Sequence, residues 1–185
     1  MMPSYPNLVD LYPKYLNIVR ETFIFREKYQ QKATNFMNNL KIEFNYKNPT
    51  FVSVHVRRTD QKFTFNGGVT LSGQYYSNAM KLAREMYENA IFIVVSDDLA
   101  WCRDNLEGEN LRYTNNADSV EGTGMDLAVL AACNHSVVSH GSFGFWGALL
   151  SGGDVIAHRK YVISPQLVKN SKVYFVNITD ENKIQ

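Results

Sequence analysis

Residues 51–60 read Phe51-Val52-Ser53-Val54-His55-Val56-Arg57-Arg58-Thr59-Asp60, a short β-rich run that begins just after Asn48-Pro49 and ends in charge. With period-two alternation, Val52, Val54 and Val56 share one face of a strand while Ser53, His55 and Arg57 share the other. Downstream, Ile91-Phe92-Ile93-Val94-Val95 is a nearly uniform apolar run. Such runs suit a parallel strand buried on both faces. Between the two, Ser72 reads as the N-cap of a helix of about 16 residues, with Ala79, Leu82, Ala83 and Met86 as its apolar stripe. The alternation continues with a short helix over 99–106, a strand at 111–114, a helix from about 125 to 133, a strand at 136–139, a helix at 143–150 and a strand at 154–157. Repeated strand–helix units predict an α/β fold, a Rossmann-like doubly wound parallel sheet. In that architecture ligands bind outside the carboxyl ends of the strands.

Upstream of residue 48 the pattern is helical. Tyr15, Val19 and Phe23, then Tyr29, Ala33, Phe36 and Leu40, predict two amphipathic helices, the first limited by Pro13. Residues 1–48 therefore read as a helical lead-in and 49–185 as the Rossmann-like domain. At 185 residues, 45% hydrophobic and 13% aromatic, the chain can build one core, and disorder is ruled out. With 19 Lys+Arg against 18 Asp+Glu, the overall field gives no reason to expect nucleic acid or an anionic membrane as a partner. Any anion site must be local.

The longest apolar stretch, Phe143 to Leu150, is far short of the roughly 20 residues of a membrane span. The start, Met1-Met2-Pro3-Ser4-Tyr5-Pro6, lacks the charged and apolar regions of a signal peptide. As written, the chain is expected to be soluble, without export signal or anchor. Cys102 and Cys133 lack metal spacing and read as two buried thiols, with one disulfide left open should the compartment be oxidising.

Two adjacent arginines at the end of a buried strand need an anionic partner, and a guanidinium fork suits phosphate oxygens. The structural alternative pairs Asp60 with one arginine and leaves His55 as a satisfied core histidine. Ser139-His140-Gly141-Ser142-Phe143-Gly144-Phe145-Trp146-Gly147 joins a short strand to an apolar helix. It reads either as a phosphate cradle at a helix start or as close packing of that helix on the sheet. Its glycine spacing does not meet the nicotinamide-cofactor fingerprint. Asp97-Asp98 reads as helix capping, as ligand contact or, least of all, as a metal pair. Asp126, in the otherwise apolar stretch Met125–Cys133, is either a helix-start residue or a carboxylate aimed at a ligand donor such as a guanine edge. Trp101, Trp146, Tyr75 and Tyr76 read as core. Of two glycosylation sequons, Asn134-His135-Ser136 overlaps a buried strand, so Asn177 is the acceptor candidate.

Taken in order, His55-Val56-Arg57-Arg58-Thr59-Asp60, Val95-Ser96-Asp97-Asp98 with Trp101-Cys102, Asp126-Leu127 through Cys133-Asn134-His135, and Gly141-Ser142-Phe143-Gly144-Phe145-Trp146 resemble the motifs of the α1,2-fucosyltransferases of glycosyltransferase family 11. The resemblance implies the donor-binding lobe of a two-lobed GT-B glycosyltransferase that transfers L-fucose from GDP-fucose, with inversion, to the 2-hydroxyl of a terminal galactose on a glycan. No metal and no other cofactor is required. It implies Arg57 on the donor diphosphate with Arg58 supporting it, His55 and Asp126 facing the guanine nucleoside, and Gly141, Ser142 and Phe143 cradling phosphate. Asp97 or Asp98 would approach the nucleoside, and Asp60 is the nearest carboxylate for the general base. Full-length members carry a membrane anchor and a further lobe and work on the luminal side of the Golgi membrane. A chain of this length is thus expected to be a short fucosyltransferase, or a catalytically silent GDP-sugar-binding module that associates with a missing lobe or a full-length partner. A protein O- or α1,6-fucosyltransferase is the third reading.

Overall fold

The computed structural model describes residues 18–59, 70–116, 119–158 and 172–176. After a short helical stretch at 18–22 come α1 (Glu27–Phe44), β1 (Thr50–Val56), α2 (Gly73–Met86), β2 (Ala90–Ser96), α3 (Leu99–Asn105), β3 (Leu111–Tyr113), α4 (Val120–Ala132), β4 (His135–Val138), α5 (Ser142–Ser151), β5 (Val155–His158) and β6 (Val173–Val176). The strands form one sheet in the order β3-β2-β1-β4-β5-β6, with every neighbouring pair parallel. This is the Rossmann-like arrangement that the alternation predicts. From β1 the chain builds outward through β2 and β3, then returns to lay β4 on the other side of β1. The β1/β4 boundary is thus the switch point, and a crevice opens there beyond the carboxyl ends of the strands.

Strand parity distributes the core. Val52, Val54 and Val56 of β1, with Phe92, Val94, Val137 and Ile156, pack under Tyr75, Tyr76, Ala79, Met80 and Ala83 of α2 and Cys102 of α3. On the other face Phe51, Ile91 and Ile93 meet Ala33, Met37 and Leu40 of α1 and Ala128, Val129 and Cys133 at the end of α4. Each of the largest fully buried side chains contributes about 1.5–3 kcal/mol on leaving water. The helical spacing around Ala33 therefore packs onto the sheet, and α1 ends where Asn45 adopts a left-handed conformation (φ 49°) and its N–H returns to Lys41 O. Cys102 and Cys133 are free and buried. They sit on opposite faces of the sheet, which closes the disulfide alternative.

Three local expectations change. The fourth helix starts at Val120, about one turn before the expected position, because Ser119 caps it by accepting from Gly122 N–H at 3.0 Å. Ser72 does stand at the start of α2, in extended conformation, but its side chain makes no capping hydrogen bond. The strand β6 is an addition to the expected elements. Pro13 and Tyr15 lie outside the described residues. Among the described residues, no helix is long and apolar enough to cross a membrane.

Candidate functional site

Beyond the carboxyl ends of β1 and β2 lies a cleft of about 610 Å³, lined by His55, Arg57, Thr59, Val95, Ser96, Asp97, Leu99, Asn116, Thr123, Asp126 and Phe143. Parity delivers the first two, since they share the face of β1 opposite the valines. His55 is buried, at 3% exposure. Burial pushes its pKa down to about 4, against a smaller upward pull from Asp97, so the ring is neutral at pH 7. Its Nδ1 lies 3.0 Å from Ser139 Oγ, and its ring stands 5.8 Å from that of Phe143. Because β4 runs beside β1, the residue after β4 falls next to the end of β1. Ser139 N–H donates to His55 O at 3.2 Å, and Arg57 N–H donates to Ser139 Oγ at 3.2 Å.

The two arginines diverge. Arg57 Nη1 lies 3.4 Å from Asp97 Oδ2, with the arginine side chain 36% exposed at the cleft. Arg58 Nε pairs with Asp98 Oδ2 at 3.3 Å, and its guanidinium lies 3.7 Å from the centre of the Trp101 ring. Arg58 and Asp98 therefore fasten the loop on the α3 side, and neither lines the cleft. Asp98 also caps α3, accepting from Trp101 N–H at 3.1 Å. Asp97 is a clamp as well as a lining residue. Its carboxylate accepts from Arg58 N–H at 2.9 Å and Thr59 N–H at 3.0 Å, and from the Thr59 hydroxyl. Charge-assisted bonds of this kind hold the post-β1 loop in one shape.

Across the cleft stands Asp126. Its place seven residues into α4 removes the helix-start reading, and the residue lines the cleft. Desolvation raises its pKa, opposed by hydrogen bonds from Asn116 and Thr114. Asn116 Nδ2 donates to Asp126 Oδ1 at 2.6 Å. The pair presents a carboxylate whose remaining lone pairs can accept two parallel N–H donors.

The glycine run answers both of its readings. Gly144 and Gly147 are packing residues: a Cβ at Gly144 would lie 2.2 Å from His55 Nδ1, and one at Gly147 2.6 Å from Leu130 Cβ. Gly141 is different. It takes φ +101°, and a Cβ placed there would have nothing within 4 Å. Glycine adopts that conformation without strain, and it opens α5 so that the helix starts at Ser142 beside the cleft. Of the expected site residues, the structure thus brings together His55, Arg57, Asp97, Asp126 and Phe143 around one cavity, with Gly141 and Ser142 at the adjoining helix start. Asp60 and Asn177 lie outside the described residues. Trp101, Trp146, Tyr75 and Tyr76 pack in or against the apolar clusters, and Asn134 Oδ1 accepts from Phe51 N–H at 2.8 Å. Asn116, Thr114 and Ser139 escape a reading of the sequence as site residues, since each matters only through a neighbour that is not adjacent in sequence. The adjacency of β1 and β4 is the signal that would find Ser139.

The solved structure of a glycosyl transferase family 9 protein from Veillonella parvula DSM 2008 superposes with a TM-score of 0.52 at 8% identity, covering 83% of this chain and 42% of that one. This similarity concerns the fold alone. Galactoside alpha-(1,2)-fucosyltransferase 2 of Hylobates lar is 32% identical over 167 residues, 88% of this chain and 48% of the relative. Galactoside alpha-(1,2)-fucosyltransferase 1 of Sus scrofa is 34% identical over 143 residues, 75% and 39% respectively. The chain spans about half the length of the first of these and less of the second. The family model described as Glycosyl transferase family 11 matches residues 1–177. With that match over nearly the whole chain, and with the arginine-bearing strand end and the glycine-led helix converging on one cleft, the chain belongs to glycosyltransferase family 11.

Proposed function

We propose that the cleft binds GDP-fucose and that the chain is the donor-binding part of a galactoside α1,2-fucosyltransferase, transferring L-fucose with inversion to the 2-hydroxyl of a terminal galactose. The observation that carries the reading is the pairing of Arg57 with the Asn116–Asp126 couple in one cavity at the switch point of the sheet. Guanine offers adjacent N1–H and 2-amino donors, which a carboxylate accepts side by side; uracil has no such edge. A fork-shaped guanidinium suits the diphosphate. As the glycosidic bond breaks, negative charge gathers on the β-phosphate while the fucosyl ring becomes oxocarbenium-like. Arg57, held in advance by Asp97, stabilises that charge without reorganisation, and the start of α5 adds its dipole. The acceptor hydroxyl attacks from the opposite face, its proton taken by a carboxylate, for which Asp60 is the nearest candidate. The reading requires no metal, and under it the acceptor is a glycan met in the Golgi lumen.

Calorimetric titration tests this. The chain is expected to bind GDP in preference to UDP. Arg57→Ala should weaken GDP about 10- to 100-fold, the loss of a charge-assisted hydrogen bond of about 1.5–3 kcal/mol, and Asp126→Asn should narrow the gap between the two nucleotides. Equal affinity for GDP and UDP, or unchanged GDP affinity in a folded Arg57→Ala variant, refutes the assignment. Because the chain covers 48% of its Hylobates lar relative, a galactoside acceptor assay with GDP-fucose separates transfer from donor binding alone.

A further inference from the structure

The hydroxyl of Ser139 joins the two groups that the cleft most needs to keep in register. Ser139 is 6% exposed. An amide N–H can only donate, so Ser139 Oγ accepts from Arg57 N–H at 3.2 Å. Its single proton then faces His55 Nδ1 at 3.0 Å and His140 O at 3.4 Å, with the Tyr76 hydroxyl also beside it. The shorter contact is to the ring nitrogen, and hydrogen bonds weaken steeply toward 3.5 Å. With its Nδ1 accepting, a neutral imidazole carries its own proton on Nε2. The ring has no freedom to turn: Gly144 lies directly over Nδ1, Cγ and Cε1, and Phe143 borders it. Nε2 is left to the cleft that His55 lines.

We propose that Ser139 is a positioning residue, whose hydroxyl fixes His55 as the Nε2–H tautomer and presents that N–H to an oxygen acceptor of the bound nucleotide, in register with Arg57. The opposite tautomer would turn a nitrogen lone pair toward a ligand rich in phosphate, ribose and carbonyl oxygens, and would repel it. The nucleotide half of the proposal rests on the donor reading above. The tautomer half concerns the unliganded chain and stands apart from it.

The test uses the full chain labelled with ¹⁵N-histidine. Long-range ¹H–¹⁵N correlation at pH 7 without nucleotide should give His55, assigned by its absence from a His55→Gln variant, the pattern of a protonated Nε2 and an accepting Nδ1. In Ser139→Ala the Nδ1 signal should move to that of a nitrogen without a donor, or the two tautomers should mix, and GDP affinity should fall about tenfold, the worth of one hydrogen bond. Ser139→Thr, which keeps the hydroxyl, should restore both readouts. Ser139→Cys, similar in volume but a weak donor, gives the same comparison should the alanine variant not fold. A wild-type His55 protonated on Nδ1, or unchanged tautomer and GDP affinity in the alanine and cysteine variants, overturns the proposal. A wild type that binds no GDP but shows the Nε2–H pattern, lost without the hydroxyl, sinks the donor reading and upholds the positioning of His55.

Discussion

Replacing Gly144 with alanine sets two effects of opposite sign against each other. Inside a helix such as α5, alanine is about 1 kcal/mol better than glycine, so local propensity alone makes the variant more stable. The new Cβ, however, would lie 2.2 Å from His55 Nδ1, 2.6 Å from Cγ and 2.9 Å from Cε1, where such atoms settle at about 3.5–4 Å. More than an ångström of separation has to be found. The ring cannot yield cheaply, because it is buried and held through Nδ1 by Ser139. The helix cannot simply rise, because at Gly147 it lies so close to α4 that a Cβ would be 2.6 Å from Leu130 Cβ, and lifting it opens that contact. Overpacking of this kind costs about 1–3 kcal/mol. Against the propensity gain the net destabilisation is about 0–2 kcal/mol, a modest change in the urea midpoint. If His55 holds the nucleotide as proposed, a ring displaced by about 1 Å loses that hydrogen bond, and GDP affinity falls by about tenfold or more. Urea unfolding and GDP calorimetry on the same preparation decide the matter. A variant stabilised by about 1 kcal/mol that binds GDP as tightly as the parent would show that α5 does not press on His55, and the reasoning would fail.

The same histidine makes stability depend on pH. Burial holds its folded pKa at about 4, below the ordinary 6.5, with Asp97 opposing that shift and Arg57 and His140 adding to it. Between those values the unfolded chain takes up a proton that the folded chain does not. The contribution is therefore complete above pH 6.5 and lost as the pH falls through the window toward 4, about 3 kcal/mol in all. The urea midpoint of the parent should drop more between pH 7 and pH 5 than that of His55→Gln, and parallel slopes refute the assignment. Asp98→Ala removes the cap of α3 and the partner of Arg58, and should cost about 1 kcal/mol of stability while leaving GDP affinity unchanged. A large loss of GDP affinity would refute a role for Asp98 confined to the stability of α3.

What the sequence discloses and what it hides divide along one line, the range of the contact involved. The valines of β1 and the apolar run of β2 carry their strand character locally, and parity alone puts His55 and Arg57 on one face; no neighbour is needed to read them. The start of α4 is different. Ser119-Val120-Glu121-Gly122-Thr123-Gly124 holds two glycines, poor helix formers, so local propensity delays the helix to Met125. The packing that justifies one of them comes from elsewhere, since a Cβ at Gly124 would lie 2.9 Å from Tyr29 Cζ in α1. The helix-start reading of Asp126 rests on that delay alone. The four residues of β6 are too short a run to separate from loop, and they become a strand by pairing with β5. Ser139 and Asn116 have no local signature at all, because a serine after one strand and an asparagine after another become site residues only through partners 84 and 10 positions away.

The Arg57-Arg58 pair shows how one local pattern yields two unlike roles. Alternation sends adjacent side chains to opposite sides, and each side supplies its own carboxylate, Asp97 to the cleft and Asp98 to α3. Arg58 is stacked on Trp101 with its side chain 13% exposed; bringing it to a ligand would break a ring contact and an ion pair together. Arg57 lies 3.4 Å from Asp97 and keeps 36% of its side chain exposed at the cleft, while the loop that carries it is clamped through backbone N–H groups. Under the donor reading, a diphosphate meets Arg57 on a loop whose backbone hydrogen bonds it does not exchange. Charge neutrality over the whole chain is compatible with a strong anion site for the same reason: Asp97 cancels the arginine in the sum while fixing it where an anion can reach.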